Sequence, residues 1–137
     1  MEDALIVTGG LGAKPVAGAI GRGTRTAYNA YRLRGYLDEA RQIPKGVQEV
    51  GKGTESLSGG QKRSLKEFTK KHSKYKESMD VTNYSDGRVV YSIKHPAERV
   101  PGSYAVCDKQ VDASGKAIRT TKTTVGPDGE LIHIKFY

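Results

Sequence analysis

Apolar side chains recur at steps of three and four along SLKEFTKKHSKYKESM. Leu65, Phe68, His72, Tyr75 and Met79 fall on one stripe of a helix. Beyond Gly87 the period changes to two. GRVVYSIKH predicts a strand over 88–94, and SYAVCDKQV, KAIRTTKTTV and ELIHIKFY predict three more. DASG and GPDG, between the last three, have hairpin-turn composition. A helix followed by three or four antiparallel strands is an α+β domain, with the helix covering one face of a small sheet. Upstream, TAYNAYRLRGYLDEARQI places Ala27, Tyr31, Leu37, Ala40 and Ile43 near helical spacing and predicts a helix over 26–43, weakened by Gly35. Residues 1–25 are rich in Gly and Ala and read as flexible or weakly helical. Residues 44–60 read as a Gly/Ser/Thr linker. The chain thus divides into a partly flexible helical arm, 1–56, and a compact domain, 57–137.

The linker carries a tempting string. LSGGQ, residues 57–61, is the signature of ABC-type ATPases, and Gly46, Gly51 and Lys52 nearly spell a P-loop. A P-loop needs Ser or Thr directly after its Lys to hold Mg²⁺, and it follows a buried strand. Here Gly53 follows Lys52, Pro44 breaks what precedes, and no apolar strand ending in Asp lies downstream. TGGLGAK, residues 8–14, resembles a dinucleotide loop but follows only a three-residue apolar run and runs into Pro15. Neither string is read as a nucleotide site.

Charge changes the picture. The chain has 23 Lys plus Arg against 15 Asp plus Glu, a net +8, which points to a polyanionic partner, first of all nucleic acid. The predicted helix at 62–76 is Lys-rich away from its apolar stripe, and Lys66, Lys70 and Lys74, with Lys94, are candidate RNA contacts. A solvated face is the competing reading of the same lysines. Cys107 is the one cysteine, so an intrachain disulfide and a multi-Cys zinc site are excluded. No run reaches membrane-spanning length, and the acidic start at Glu2 and Asp3 does not fit a signal peptide.

The last hairpin brings candidate chemistry together. With Pro127 and Asp128 at its tip, Val125 pairs with Glu130, Lys122 with His133 and Thr120 with Lys135; a bulge would slip this register. Alternation puts Ile132, Ile134 and Phe136 on one face, expected to meet the helix. Thr120, Lys122, Thr124, His133 and Lys135 share the open face. Imidazole, ammonium and hydroxyl groups without a carboxylate cluster or a metal-ligand set fit one reaction, RNA cleavage by its own 2′-OH. A base takes the hydroxyl proton, an acid protonates the leaving 5′-oxygen, and cations stabilise the phosphorane. His133 and His95, the latter in the loop IKHPAERVPGSYA, are the candidate acid/base pair. His72 reads as a packed helix residue and Cys107 as a small strand residue.

HPAERVPGSYAVCDKQVDASGKAIRTTKTTVGPDGELIHIKFY resembles the C-terminal toxin modules of bacterial polymorphic toxins of the contact-dependent inhibition and Rhs types. Within these it is similar to those with the barnase/EndoU/colicin/RelE-like ribonuclease fold. The likeness rests on the GSYA strand, the KTT strand and the GELIHIK ending, and covers 57–137 best. It implies metal-independent RNA cleavage, with tRNA as a candidate substrate, and no cofactor. It also implies delivery as part of a larger secreted polypeptide, action in the cytoplasm of a target cell, and a cognate immunity protein in the producer. The resulting expectation has Lys122, Lys135 and Arg99 stabilising the phosphorane, and Thr120, Thr123 and Tyr104 positioning the RNA. A non-catalytic RNA-binding module and a metal-dependent DNase are the alternatives.

Overall fold

The computed structural model describes the backbone of residues 17–137 and the side chains of residues 27–137. TGGLGAK and the start of the arm lie outside the described residues. Two compact units, Met1–Arg32 and Leu33–Tyr137, divide the chain inside its first helix, α1 (Ala17–Arg41). In the first unit the Arg32 guanidinium lies 5.5 Å from the Tyr28 ring centroid. The helix begins well before the expected residue 26. It ends where Gln42 takes a φ of 51°, the left-handed conformation common just past a helix end, and Pro44 bars a further turn.

The second unit is an α+β domain with one antiparallel sheet of six strands. These are β1 (Glu49–Lys52), β2 (Asp80–Tyr84), β3 (Val89–Pro96), β4 (Tyr104–Val111), β5 (Ala117–Val125) and β6 (Leu131–Phe136), each beside its sequence neighbour. Helix α2 (Gly59–Lys71) and a 3₁₀ segment, Ser73–Ser78, separate β1 from β2. The four strands expected from period two are β3 to β6. The two further strands lie in the supposed linker and just after the helix. There the Lys52 ammonium bonds Asp80 and Thr82, each at 2.9 Å, so the near-P-loop lysine ties β1 to β2. The compact unit therefore starts well before the boundary at 56/57 that composition marks.

LSGGQ has a packing role. Leu57 is buried in the core beneath α2. Ser58 caps the helix: its hydroxyl accepts from Gln61 N–H at 3.2 Å, while the Gln61 side chain accepts from Ser58 N–H at 2.9 Å. The same Gln61 amide donates to the carbonyls of Gly87 and Asp112, at 2.8 and 3.0 Å, pinning the helix start to two hairpins. Gly60 packs so tightly on the β4–β5 turn that a Cβ would lie 1.8 Å from the Ser114 carbonyl oxygen. Gly60→Ala should therefore lose about 1–3 kcal/mol of stability by urea denaturation. An unchanged midpoint would show that the turn yields freely.

Helix α2 lays Phe68 on Tyr91, ring centroids 5.8 Å apart, over a core of Leu57, Val81, Val89, Ile93 and Val111. This is the face of His95 and Cys107, opposite to the one expected to meet the helix. Ile132 and Phe136 remain 45% and 51% exposed, and Ile134 is only half-buried. Thirteen residues make a helix of about 20 Å, whereas six strands span about 24 Å between the outermost pair. The helix lies across β2 to β4 and leaves the β5–β6 end of its face open.

The last turns of α1 pack on the other face, over β3 and β4. Arg41 Nε donates to Asp108 at 2.7 Å, one terminal nitrogen to Ser92 at 2.9 Å and the other to Tyr84 at 3.4 Å. Gln110 and Arg119 donate to the Arg41 carbonyl, at 2.9 and 3.1 Å. Burial works against the Arg41 charge, but Asp108 and Tyr84 outweigh it and hold the guanidinium above its ordinary pKa.

Candidate functional site

The register fixes which side chains meet on the uncovered sheet end. Thr124 pairs with His133 and Lys122 with Lys135, while Val125 pairs with Leu131 across an irregularity. The expected pairs Lys122–His133 and Thr120–Lys135 are thus slipped by two residues. An even slip preserves the face, so Thr120, Lys122, Thr124, His133 and Lys135 do share one side. On β4 the cross-strand partners of Thr124, Lys122 and Thr120 are Ala105, Cys107 and Lys109. Past the end of β6, Tyr137 N–H donates to the Thr120 carbonyl at 2.9 Å and extends the ladder. Three strands therefore display a small grid: Ala105, Cys107 and Lys109; Thr124, Lys122 and Thr120; His133, Lys135 and Tyr137.

His133 and Lys135 are exposed, and Lys122 and Thr124 half-exposed. The row Lys109–Thr120 and the pair Lys122–Lys135 put three ammonium groups among hydroxyls and one imidazole. From α2, Arg63 and Glu67 line a groove with Lys109 and Lys116 along the same side. Lys66 and Lys70 instead border a groove with Leu57, Leu65 and Thr54 on the helix's other flank. The lysine row expected to face RNA as one surface is therefore split, and Lys66 and Lys70 lie away from the grid. Lys74 sits with its ammonium 5.6 Å from the Tyr75 ring.

His95 is on the right face but not at the same place. It pairs across β4 with Ala105, which pairs with Thr124 and so leads to His133. Three interstrand steps put the two backbones about 14 Å apart, too far for one phosphate to receive both imidazoles. The expected acid/base pair is not formed. His95 instead lies under Tyr75, ring centroids 5.3 Å apart. Its Nδ1–H donates to the Pro96 carbonyl at 2.9 Å, so in the neutral ring Nε2 is the acceptor, and it faces Cys107 Sγ at 3.5 Å. Sequence reading missed this contact because Cys107 is directly opposite Ile93, and only the diagonal of the β3–β4 register brings His95 to it. Burial pushes the Cys107 thiol above its ordinary pKa, with Lys122 and Lys71 partly offsetting that. With Nδ1–H committed to Pro96, the Nε2 lone pair of the neutral ring is placed to accept from the thiol. His72, packed on Phe68 with ring centroids 4.7 Å apart, is held below its ordinary pKa by burial and by Lys71 and His95.

The other expected residues are placed elsewhere. Thr123 alternates to the opposite face, is fully buried, and its hydroxyl finds no hydrogen-bond partner. Tyr104 and Lys94 are also on that opposite face and meet each other, the ammonium 4.1 Å from the ring centroid. Arg99 stands exposed in the loop between β3 and β4, outside the grid. Among the described residues no group of three or more His, Cys, Asp or Glu side chains is placed to hold a metal ion. No described helix is long and apolar enough to cross a membrane.

The chain matches no protein-family model, no curated protein and no solved structure. The chemistry open to the grid follows from its own residues. An exposed imidazole beside two ammonium groups and a hydroxyl can bind a phosphodiester and move one proton on it.

Proposed function

We propose that this chain is a metal-independent ribonuclease toxin domain. The observation that supports it is the adjacency of Thr124–His133 and Lys122–Lys135 on the sheet end that α2 leaves uncovered. His133 takes the proton of a ribose 2′-OH, which attacks the neighbouring phosphorus. Lys122 and Lys135 hold the non-bridging oxygens as charge accumulates, and one of the two ammonium groups protonates the departing 5′-oxygen. Thr124 and Thr120 offer hydroxyls for positioning. The net charge of +8 suits a polyanionic substrate, and tRNA is the RNA we put first. The resemblance of the tail to polymorphic-toxin modules adds the setting: delivery within a larger secreted polypeptide into a target-cell cytoplasm. An acidic immunity protein would cover the basic face in the producing cell.

Incubation of the purified chain with total bacterial RNA is expected to give fragments ending in 2′,3′-cyclic phosphate, equally with and without EDTA. Ends bearing 3′-hydroxyl, or loss of cleavage with EDTA, would overturn the mechanism in favour of a metal-dependent nuclease. Salt-sensitive binding without turnover would mark a non-catalytic RNA-binding module instead.

A further inference from the structure

Tyr137 has no part in the reaction just described, yet it occupies the grid position beside Lys135 and opposite Thr120. Its side is fixed by two observations. Its N–H continues the β5–β6 ladder at Thr120, and its ring receives the Lys135 ammonium 4.9 Å from the centroid, which puts ring and lysine on the same face. Tyr137 as a residue is 68% exposed. An aromatic ring left so far in solvent, on a flat basic surface among hydroxyls, is the arrangement by which proteins hold unpaired bases: the base stacks on the ring, and cations beside it take the phosphate.

We infer that Tyr137 is the stacking platform for an unpaired base of the substrate, and that the ligand of this face is single-stranded RNA. The inference rests on the ribonuclease reading for the identity of the polymer. Tyr137 and His133 are four residues apart along one line of the sheet, about 13 Å, a distance an extended strand crosses in a few nucleotides. A base on Tyr137 therefore anchors the chain on one side of the phosphate held by Lys122 and Lys135. The Thr120 hydroxyl, across from Tyr137 and half-exposed, is within the same row to meet the edge of that base. Lys135 covers one side of the ring, and the other side receives the base. A duplex cannot use this platform, because its bases are stacked on one another and it offers a protein only its backbone and grooves.

The test uses the full chain and labelled oligonucleotides with 2′-O-methyl sugars, which bind but lack the nucleophile, as a single strand and as a duplex of the same sequence. Anisotropy titrations at fixed salt should show the single strand bound roughly ten-fold more tightly than the duplex. Tyr137→Ala should weaken single-strand binding roughly ten-fold and leave duplex binding unchanged. Tyr137→Phe should stay within about two-fold of wild type, since the ring is what stacks. Circular dichroism confirms that each variant is folded. Wild-type affinity in Tyr137→Ala, or an equal loss for both oligonucleotides, overturns the inference. Cleavage is read separately on unmodified RNA. Cleavage together with Tyr137-independent binding removes the stacking platform and spares the ribonuclease reading. Tyr137-dependent binding without cleavage does the reverse.

Discussion

Replacing His133 by alanine is expected to slow RNA cleavage about 10²- to 10⁴-fold while leaving the fold intact. The size follows from the loss of the one imidazole in the grid, the proposed proton acceptor. The retention of fold follows from position. His133 is exposed on β6, at the end of the α2-bearing face that the helix does not reach, and its removal leaves no cavity. Stability should change by less than about 1 kcal/mol, the usual range for a surface substitution. Lys122→Ala should slow cleavage in the same direction by removing a cation from the phosphorane. His95→Ala gives the contrast. That side chain serves Cys107 and Tyr75 about 14 Å away across three interstrand steps, so its loss should leave the cleavage rate near wild type. Cleavage assays on folded variants decide the matter: a wild-type rate in His133→Ala removes it from the mechanism.

Asp108→Ala is expected to cost about 3–5 kcal/mol in chemical denaturation. Asp108 is 2% exposed and Arg41 9%. Deleting the carboxylate leaves the guanidinium buried with only Ser92 and Tyr84 as partners, a far greater penalty than the contact's net contribution to stability. Because the Arg41 pKa is raised, the group is charged in the folded state at every working pH, and the loss should be equally large at pH 5 and pH 9. Asp108→Asn keeps the volume and serves as the second variant; it should lose less than Asp108→Ala, though still well over 1 kcal/mol. A domain with typical stability of about 5–15 kcal/mol would be left marginal. A loss under about 1 kcal/mol for both variants would mean that water reaches the pair.

Periodicity was legible wherever one face of an element is uniformly buried. β3 to β6 announce themselves because Val90, Ser92 and Val106 alternate with Tyr91, Ile93 and Cys107 across two covered faces, and because DASG and GPDG close their hairpins. EVGK and DVTNY do not, since their strand state comes from pairing with neighbours and from the Lys52 contacts rather than from an apolar pattern. The side on which α2 packs was not legible either. Ile132, Ile134 and Phe136 look like a core face in sequence, but they lie on an edge strand, on the sheet face opposite to α2. Face sharing within the last hairpin was readable from alternation alone, while the partner of each residue depended on an irregularity at the Thr124–Val125 step. The burial of Arg41 was hidden for a simpler reason. A lone arginine near a helix end reads as solvated unless its carboxylate is known, and Asp108 lies 67 residues away.

The grid is assembled from the last strands of the meander, and that sets when it exists. His133, Lys135 and Tyr137 follow every other strand of the sheet in chain order, and Thr124, Lys122 and Thr120 have neighbours only on the β4 side until β6 pairs. Folding during synthesis proceeds from the N-terminal side, so chain order makes this face the last part of the sheet to form. On the ribonuclease reading, a nascent chain among ribosomal, messenger and transfer RNA has the other five strands before it has the face proposed to cut.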